Sequence, residues 1–205
     1  MRSLRTPRAI FALAILAVAV ATLPSSATAL EPVAENDGTR GARASVRDVN
    51  GVFLGTINIQ PSDGKLIIGG RLSGLAEGFH GFHIHTAGIC DPRAVDPNTG
   101  AIVPFLTAGG HLNPGGTPHG HHAGDLPSLL VAADGRATSV TETDAVTLAQ
   151  IFDANGAAFI VHAAPDNFAS IPARYSSGGI PGPDAATLAT GDSGARVACG
   201  VIVRT

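Results

Sequence analysis

Short apolar runs separated by turn-forming dipeptides constrain the fold of this chain more than any other feature of its sequence. The runs contain many β-branched residues, and few of them show a helical period. Four dipeptides that favour the positive φ of tight hairpins lie between them: Asn50-Gly51, Asp63-Gly64, Asp134-Gly135 and Asn155-Gly156. The pattern predicts strands over 43–49, 52–59, 65–73, 79–86, 128–133, 136–143, 157–163 and 196–203. Strands this short, joined by hairpin turns, predict an all-β antiparallel barrel or sandwich.

Two long segments interrupt the strand pattern, over about 87–127 and 164–195. Irregular connections of that length inside one domain are usually functional. Residues 143–152, between two of the predicted strands, also allow a brief helical turn. The sequence therefore predicts a β-scaffold that carries two long functional loops.

The first long loop contains the densest histidine cluster of the chain, at 108–125. Prolines and several glycines prevent this stretch from forming a helix, so its histidines have no helical packing role. Its candidate metal ligands are His111, His119, His121, His122 and Asp125. A solvated histidine-rich loop is the alternative interpretation.

Three further histidines lie in apolar, strand-like runs. His83 and His85 are two residues apart, so in a strand their side chains share one face, and His162 ends the run 157–161. These three with one loop histidine form a four-nitrogen set of the kind that suits copper(II). The remaining loop histidines with Asp125 form a nitrogen and oxygen set that suits zinc. The sequence thus predicts two neighbouring metals.

The amino terminus has the pattern of a secretory signal peptide. Three arginines precede the apolar run 9–23, and Ala27-Thr28-Ala29 forms a cleavage motif, which predicts a signal peptide over 1–29. An uncleaved anchor is the alternative. We expect a flexible terminus over 30–41, a single domain over 42–205, no membrane attachment after cleavage, and a secreted protein, extracellular or periplasmic.

Charge and cysteine content agree with an exported protein. Cleavage removes three of the 13 basic residues and none of the 16 acidic ones, which leaves a net charge near −6. Such a chain is not expected to bind nucleic acid. The two cysteines, Cys90 and Cys199, favour one disulfide, which would stabilise the chain by about 4–5 kcal/mol in the chain-entropy model. Two buried thiols are the alternative.

Five motifs in this order resemble the copper–zinc superoxide dismutases, and the resemblance covers about 42–203. The motifs are Gly81-Phe82-His83-Ile84-His85, Gly109-Gly110-His111, His122-Ala123-Gly124-Asp125-Leu126, Val161-His162 and Gly194-Ala195-Arg196-Val197-Ala198-Cys199-Gly200. The resemblance implies an eight-stranded antiparallel Greek-key barrel or sandwich, a type of fold that this family is known for. The activity it implies is conversion of superoxide to dioxygen and hydrogen peroxide by cycling copper(II) and copper(I).

The resemblance also implies a role for each matching residue. The copper ligands are His83, His85, His111 and His162, and the zinc ligands are His111, His119, His122 and Asp125. His111 bridges both metals and passes a proton to the peroxide. Asp166 links a copper histidine to a zinc histidine, Arg196 receives the anion beside copper, and Cys90 pairs with Cys199.

The sequence departs from the family pattern in the zinc loop, where only two residues separate His119 from His122. Zinc is expected, although some family members work with copper alone, and His121 is an extra candidate ligand that could replace either neighbour. His80 is expected at the surface or in a structural role.

A non-catalytic copper-binding or storage protein on the same fold is the alternative to the enzyme. For the enzyme we expect Arg196 and Arg174 to attract superoxide, because the second long loop has no lysine. The oligomeric state is not determined.

Overall fold

The computed structural model describes residues 40–205. The predicted signal peptide and nearly all of the predicted flexible terminus lie outside the described residues, so these boundaries stay predictions. The strands of the described part are β1 (Ala42–Asp48), β2 (Phe53–Ser62), β3 (Lys65–Ser73), β4 (Gly78–His85), β5 (Asp125–Val131), β6 (Arg136–Thr143), β7 (Ala158–His162), β8 (Ser176–Ser177), β9 (Ile180–Pro181) and β10 (Arg196–Arg204). The helices are a 3₁₀ turn (Leu106–Ala108), α1 (Leu148–Ile151) and α2 (Ala185–Thr190).

Eight of these strands form one antiparallel sheet, in the order β5-β4-β7-β10-β1-β2-β3-β6. The strands at its two ends, β5 and β6, follow each other in the chain and are joined by a turn in which Gly135 donates to the carbonyl of Ala132. This turn brings the sheet edges together and makes a nearly closed barrel. β3 and β4 are consecutive but not neighbours, as are β6 and β7, and these crossovers give Greek-key topology. The predicted fold is confirmed.

The turn dipeptides act largely as the sequence predicts. Gly51, Gly64 and Gly135 all have positive φ and lie in the hairpins β1–β2, β2–β3 and β5–β6. Gly156 also has positive φ, but its turn joins α1 to β7 and makes no hairpin. The start of β5 was predicted three residues too late, because the strand continues through Pro127, which an edge strand tolerates.

β4 and β7 are buried on both faces, and this feature positions the functional residues. Phe82 stacks on Phe159 inside the barrel, with ring centroids 5.2 Å apart. On the outer face, Ala158 and Ile160 pack under Phe105 from the first long loop. The outer side chains of these strands are thereby removed from water, although they lie outside the barrel interior.

A disulfide between Cys90 and Cys199 attaches the first long loop to β10, as the sequence predicted. It joins residues 109 positions apart and lies beside the packed group that contains Phe105. In the described part of the chain, no helix has the length and apolar character that crossing a membrane requires.

Candidate metal centre

Three histidines project from the outer faces of β4 and β7 under the first long loop. His83 and His85 alternate with the core residues Phe82 and Ile84, and His162 is the last residue of β7. His111 joins them through an isolated bridge with His85. These four histidines are buried, and one ring nitrogen from each lies within 4.8 Å of the others.

In two of these histidines, a hydrogen bond at one ring nitrogen determines that the other ring nitrogen points toward the remaining histidines. Nδ1 of His85 donates to the carbonyl of Gly109 over 2.9 Å, and Nδ1 of His162 donates to the carbonyl of Gly194 over 3.0 Å. Because a carbonyl oxygen only accepts, each proton lies on Nδ1 and each Nε2 keeps a free lone pair. The sheet and the loops therefore fix the orientation of both rings.

The nitrogens that converge are buried and have no hydrogen-bond partner in the described structure. They are Nδ1 of His83 and Nε2 of His85, His111 and His162. A buried polar atom without a partner is costly, and four such atoms within one small volume fit a metal ion that accepts their lone pairs. The donor set is all nitrogen, which suits copper.

A second ligand group lies on the other side of His111. It consists of His111, His119, His122 and Asp125, whose ligand atoms also lie within 4.8 Å of one another. The carboxylate of Asp125 is central: Oδ1 is 2.9 Å from Nδ1 of His111, and Oδ2 is 3.3 Å from Nδ1 of His119. The backbone N–H groups of Gly120 and His122 also donate to Oδ2. Three imidazoles with one carboxylate are a zinc-type donor set.

His111 belongs to both groups through its two ring nitrogens. Its Nδ1 faces Asp125 and the zinc-type group, whereas its Nε2 belongs to the convergent nitrogens of the copper-type group. An imidazole can serve two metals only if each nitrogen faces one of them. The geometry of His111 therefore fits a bridge between two ions.

Asp166 connects the two ligand groups through hydrogen bonds to the ring nitrogens that point away from them. Its Oδ2 accepts from Nε2 of His83 over 2.6 Å, and its Oδ1 accepts from Nε2 of His119 over 2.8 Å. The backbone N–H of Phe168 also donates to Oδ1 over 2.7 Å. Although burial works against the charged form, the hydrogen bonds from His119 and His83 hold the pKa of Asp166 well below its usual range. An ionised Asp166 fixes both histidines with Nδ1 free for a metal.

Burial keeps three of the copper-type histidines neutral at physiological pH. It lowers the pKa of His83 to about 4 and the pKa of His162 to about 3, and it lowers the pKa of His85 well below its usual value. Neutral imidazole is the form that binds a metal, so these three histidines need no deprotonation before binding.

The zinc-type group has a different charge state. Burial works against the charged form of His119, but hydrogen bonds to Asp125 and Asp166 outweigh it and raise the pKa of His119 to about 9. Burial lowers the pKa of His122. Hydrogen bonds from His111 and His119 depress the pKa of Asp125 despite its burial. The metal-free centre thus carries a proton on His119 that a metal must displace.

A cavity of about 470 Å³ leads from the surface to the copper-type group. His85, His111 and His162 line it together with Arg196, and Asp192 lies in the same lining. The guanidinium of Arg196 donates to the carbonyls of Phe105 and Gly109, which hold it in place. Burial lowers the pKa of Arg196, yet an arginine keeps its charge at neutral pH. The cavity therefore presents a fixed cation beside three ligand histidines.

Two histidines stay outside these groups. His121 is exposed, and it belongs to neither ligand group in the part of the chain that is described. His80 is buried, so a surface position is wrong and the structural alternative holds. Its Nδ1 lies 2.6 Å from the carbonyl of His162, and its Nε2 lies 2.9 Å from that of Ala76.

Two residues at the centre were not found from the sequence. Gly191, with φ 61°, lies so close to Asp166 and His119 that a Cβ at this position would overlap both side chains. Phe168 stacks on the ring of His119. The second loop is rich in glycine, so Gly191 had no distinguishing signal, and the aromatic side chain of Phe168 close to Asp166 was the one available sign.

Comparison with known proteins places these features in a family. The model of the family described as copper/zinc superoxide dismutase matches residues 53–202. A protein of Mycolicibacterium paratuberculosis named superoxide dismutase [Cu-Zn] is 44% identical over 90% of this chain and 76% of its own length. One of Mycobacterium tuberculosis with the same name is 48% identical over 81% of this chain and 66% of its own length.

A solved structure shows the same likeness. The Cu/Zn superoxide dismutase from Brucella abortus matches with a TM-score of 0.58 and 31% identity, over 78% of this chain and 98% of that one.

Proposed function

This chain belongs to the copper/zinc superoxide dismutase family, and we propose how its own residues perform the reaction of that enzyme. The reaction converts two superoxide anions and two protons to one dioxygen and one hydrogen peroxide. Copper and zinc are the metals of the family. We assign copper to His83, His85, His111 and His162, and zinc to His111, His119, His122 and Asp125.

The proposal rests on the observation that His111 contributes one ring nitrogen to each of the two ligand groups. Its Nε2 is one of four convergent nitrogens without a hydrogen-bond partner in the described structure, and its Nδ1 faces the zinc-type group. When bound, copper supplies the one-electron oxidation and reduction that the reaction requires. His111 lines the substrate cavity, so when its Nε2 is not bound to copper it can hold a proton and pass it to the peroxide formed there.

Arg196 receives the substrate in this proposal. The carbonyls of Phe105 and Gly109 hold its guanidinium at the cavity wall, so its charge attracts a small anion without rearrangement. Gly109 also accepts from His85, so a single carbonyl orients both the anion-binding arginine and a copper-side histidine. In a chain with net negative charge, we propose that Arg174 on the second loop assists Arg196 in attracting superoxide.

Non-catalytic copper storage on the same fold is not favoured. The matching relatives are named superoxide dismutases. A storage function would also leave unexplained the guanidinium of Arg196, which is fixed beside the ligand histidines in an open cavity. We further propose that the protein is exported, extracellular or periplasmic. The arginine-flanked apolar terminus of the sequence supports this, and so does the disulfide, since such bonds persist in oxidising compartments.

The test measures superoxide decay with the metal-free protein, first loaded with copper in zinc-free buffer and then with zinc added. We expect catalytic decay with copper, and about one further equivalent of zinc to bind. No acceleration with either metal combination would contradict the proposal.

Adjacent histidines provide a matched pair of variants for the zinc assignment. His122→Ala removes a buried ligand, whereas His121→Ala removes its exposed neighbour. We expect the first variant to lose tight zinc binding and the second to keep it, with both retaining copper. Equal zinc affinity in the two variants would show that His122 is not a ligand.

A further inference from the structure

Phe168 is one of several residues through which the second long loop contacts the zinc-type group, and it is the one that places an aromatic ring beside His119. Its ring lies parallel to the ring of His119, with an interplanar angle of 9° and centroids 6.4 Å apart. Its backbone N–H donates to Asp166, the residue that fixes His119. Its carbonyl oxygen lies so close to Gly120 that a Cβ added to Gly120 would be only 2.6 Å from that oxygen. Side chain and backbone of one residue therefore contact three separate parts of the centre.

The backbone at this position is strained. Phe168 has φ 53° and Ala169 has φ 52°, so two consecutive residues with a Cβ occupy the left-handed region. Such strain persists only where the surroundings impose it, and it marks functional positions. Here the hydrogen bonds of Phe168 to Asp166 and of Ala169 to Asn167 hold the turn. The ring is kept over His119 at a conformational cost.

The exposure of Phe168 argues against a role in the core. The residue is 41% exposed, whereas His119 is 2% exposed. A half-exposed aromatic ring adds little to the packing of the barrel. The exposed ring lies parallel to the ring of a buried ligand histidine, where it can limit access to that histidine.

We propose that Phe168 is a clasp that controls how fast the zinc ion exchanges with solvent at the His119 side of the centre. The inference rests on the proposed function, because it assumes zinc at this group. Release of zinc requires His119 to move away from the ion, and the Phe168 ring limits both that movement and the approach of water or a chelator. The clasp sets the rate of exchange, and its effect on the ligand geometry is small.

Three variants separate the ring from the turn that carries it. Phe168→Ala removes the ring, and because the ring is half exposed, no core cavity results. Ala169→Gly keeps the ring and relieves the positive-φ strain at the second of the two residues. Tyr175→Ala removes another exposed aromatic residue of the same loop, which is 56% exposed and stacks with Arg174 instead of a ligand.

The measurement is the rate of zinc release from the loaded protein into excess 4-(2-pyridylazo)resorcinol, followed by absorbance. Cobalt(II) in place of zinc reports ligand geometry through its visible spectrum. For Phe168→Ala we expect release at least tenfold faster with an unchanged cobalt spectrum. For Tyr175→Ala we expect a rate within twofold of the wild type, and for Ala169→Gly a rate no faster than the wild type.

The outcomes distinguish failure of the clasp from failure of the metal assignment. A release rate of Phe168→Ala within twofold of the wild type would overturn the clasp alone. So would equally fast release from Ala169→Gly, since the ring is intact there. A wild-type protein that binds no zinc would overturn the zinc assignment and the clasp with it.

Discussion

Replacing Asp166 by asparagine tests the link between the two ligand groups most directly. The carboxylate accepts from His83 on one oxygen and from His119 and the Phe168 backbone on the other. An asparagine has the same shape but a single acceptor oxygen, and its NH₂ group occupies the other position. In either orientation, one of the two histidines loses its acceptor and faces a donor instead. That histidine can be satisfied only by moving its proton to Nδ1, the nitrogen that faces the metal.

The size of the effect follows from the hydrogen bond that is lost. A hydrogen bond to a buried charged group is worth about 1.5–3 kcal/mol. Converted at about 1.4 kcal/mol per tenfold, this corresponds to a 10- to 150-fold loss, close to the roughly 10- to 100-fold loss in metal affinity typical when such an outer partner is removed. We therefore expect one of the two metal sites of Asp166→Asn to bind its ion about 10- to 100-fold more weakly.

The assay is competition of the metal-free protein against chromophoric chelators, performed separately for zinc and for copper. Asp192→Asn is the matched control, because Asp192 lies in the same loop and its carboxylate accepts from Asn167 and Thr187. Its metal affinities should match those of the wild type. If Asp166→Asn is folded and binds both metals within threefold of the wild type, the reasoning about the link is refuted.

Three further outcomes follow from the charges of the described residues. Arg174→Ala should lower the rate constant for superoxide and flatten its dependence on ionic strength, measured by pulse radiolysis, and an unchanged salt slope would contradict a steering role. The metal-free protein should lose stability as the pH falls from 7 to 5. Burial lowers the folded-state pKa of His83 to about 4 and of His162 to about 3, so below pH 6.5 the unfolded chain binds more protons. The free energy of unfolding, measured with urea, should fall by about 2 kcal/mol for each of these histidines. A free energy of unfolding that stays constant over this range would contradict the neutral burial of His83 and His162. Zinc binding at pH 7.5 should release about one proton, because the pKa of His119 is about 9. Calorimetry in buffers of different ionisation enthalpy measures the number of protons released. If no proton is released, His119 is neutral in the metal-free protein.

The pairing of histidines on β4 shows what could be predicted from local sequence. His83 and His85 alternate with Phe82 and Ile84, and period two is a property of any extended strand. The common face of the two imidazoles was therefore predictable before the sheet was known. The same rule could not decide whether His80 is exposed or buried, because an acceptor that holds its ring, the carbonyl of His162, is distant in sequence.

The histidines of the first long loop show what local sequence could not predict. Without the family resemblance, His111, His119 and His122 were candidates on composition alone, with His121 as a fourth. Spacing could not separate them, because the backbone of a loop rich in glycine and proline has no regular period. Burial of three of them and exposure of the other depends on how the loop lies against the barrel.

The sequence by itself determined the eight strands of the main sheet, three of the hairpin turns and the residue types available for two metals, because these depend on backbone preferences and side-chain chemistry within a few residues. Only the tertiary structure decided which nitrogen of each imidazole faces inward. That choice is made by acceptors distant in sequence, such as Asp166 for His83, 83 residues away, and Gly194 for His162, 32 residues away. A hydrogen bond that fixes a tautomer requires both partners to be in place, and only folding brings them together.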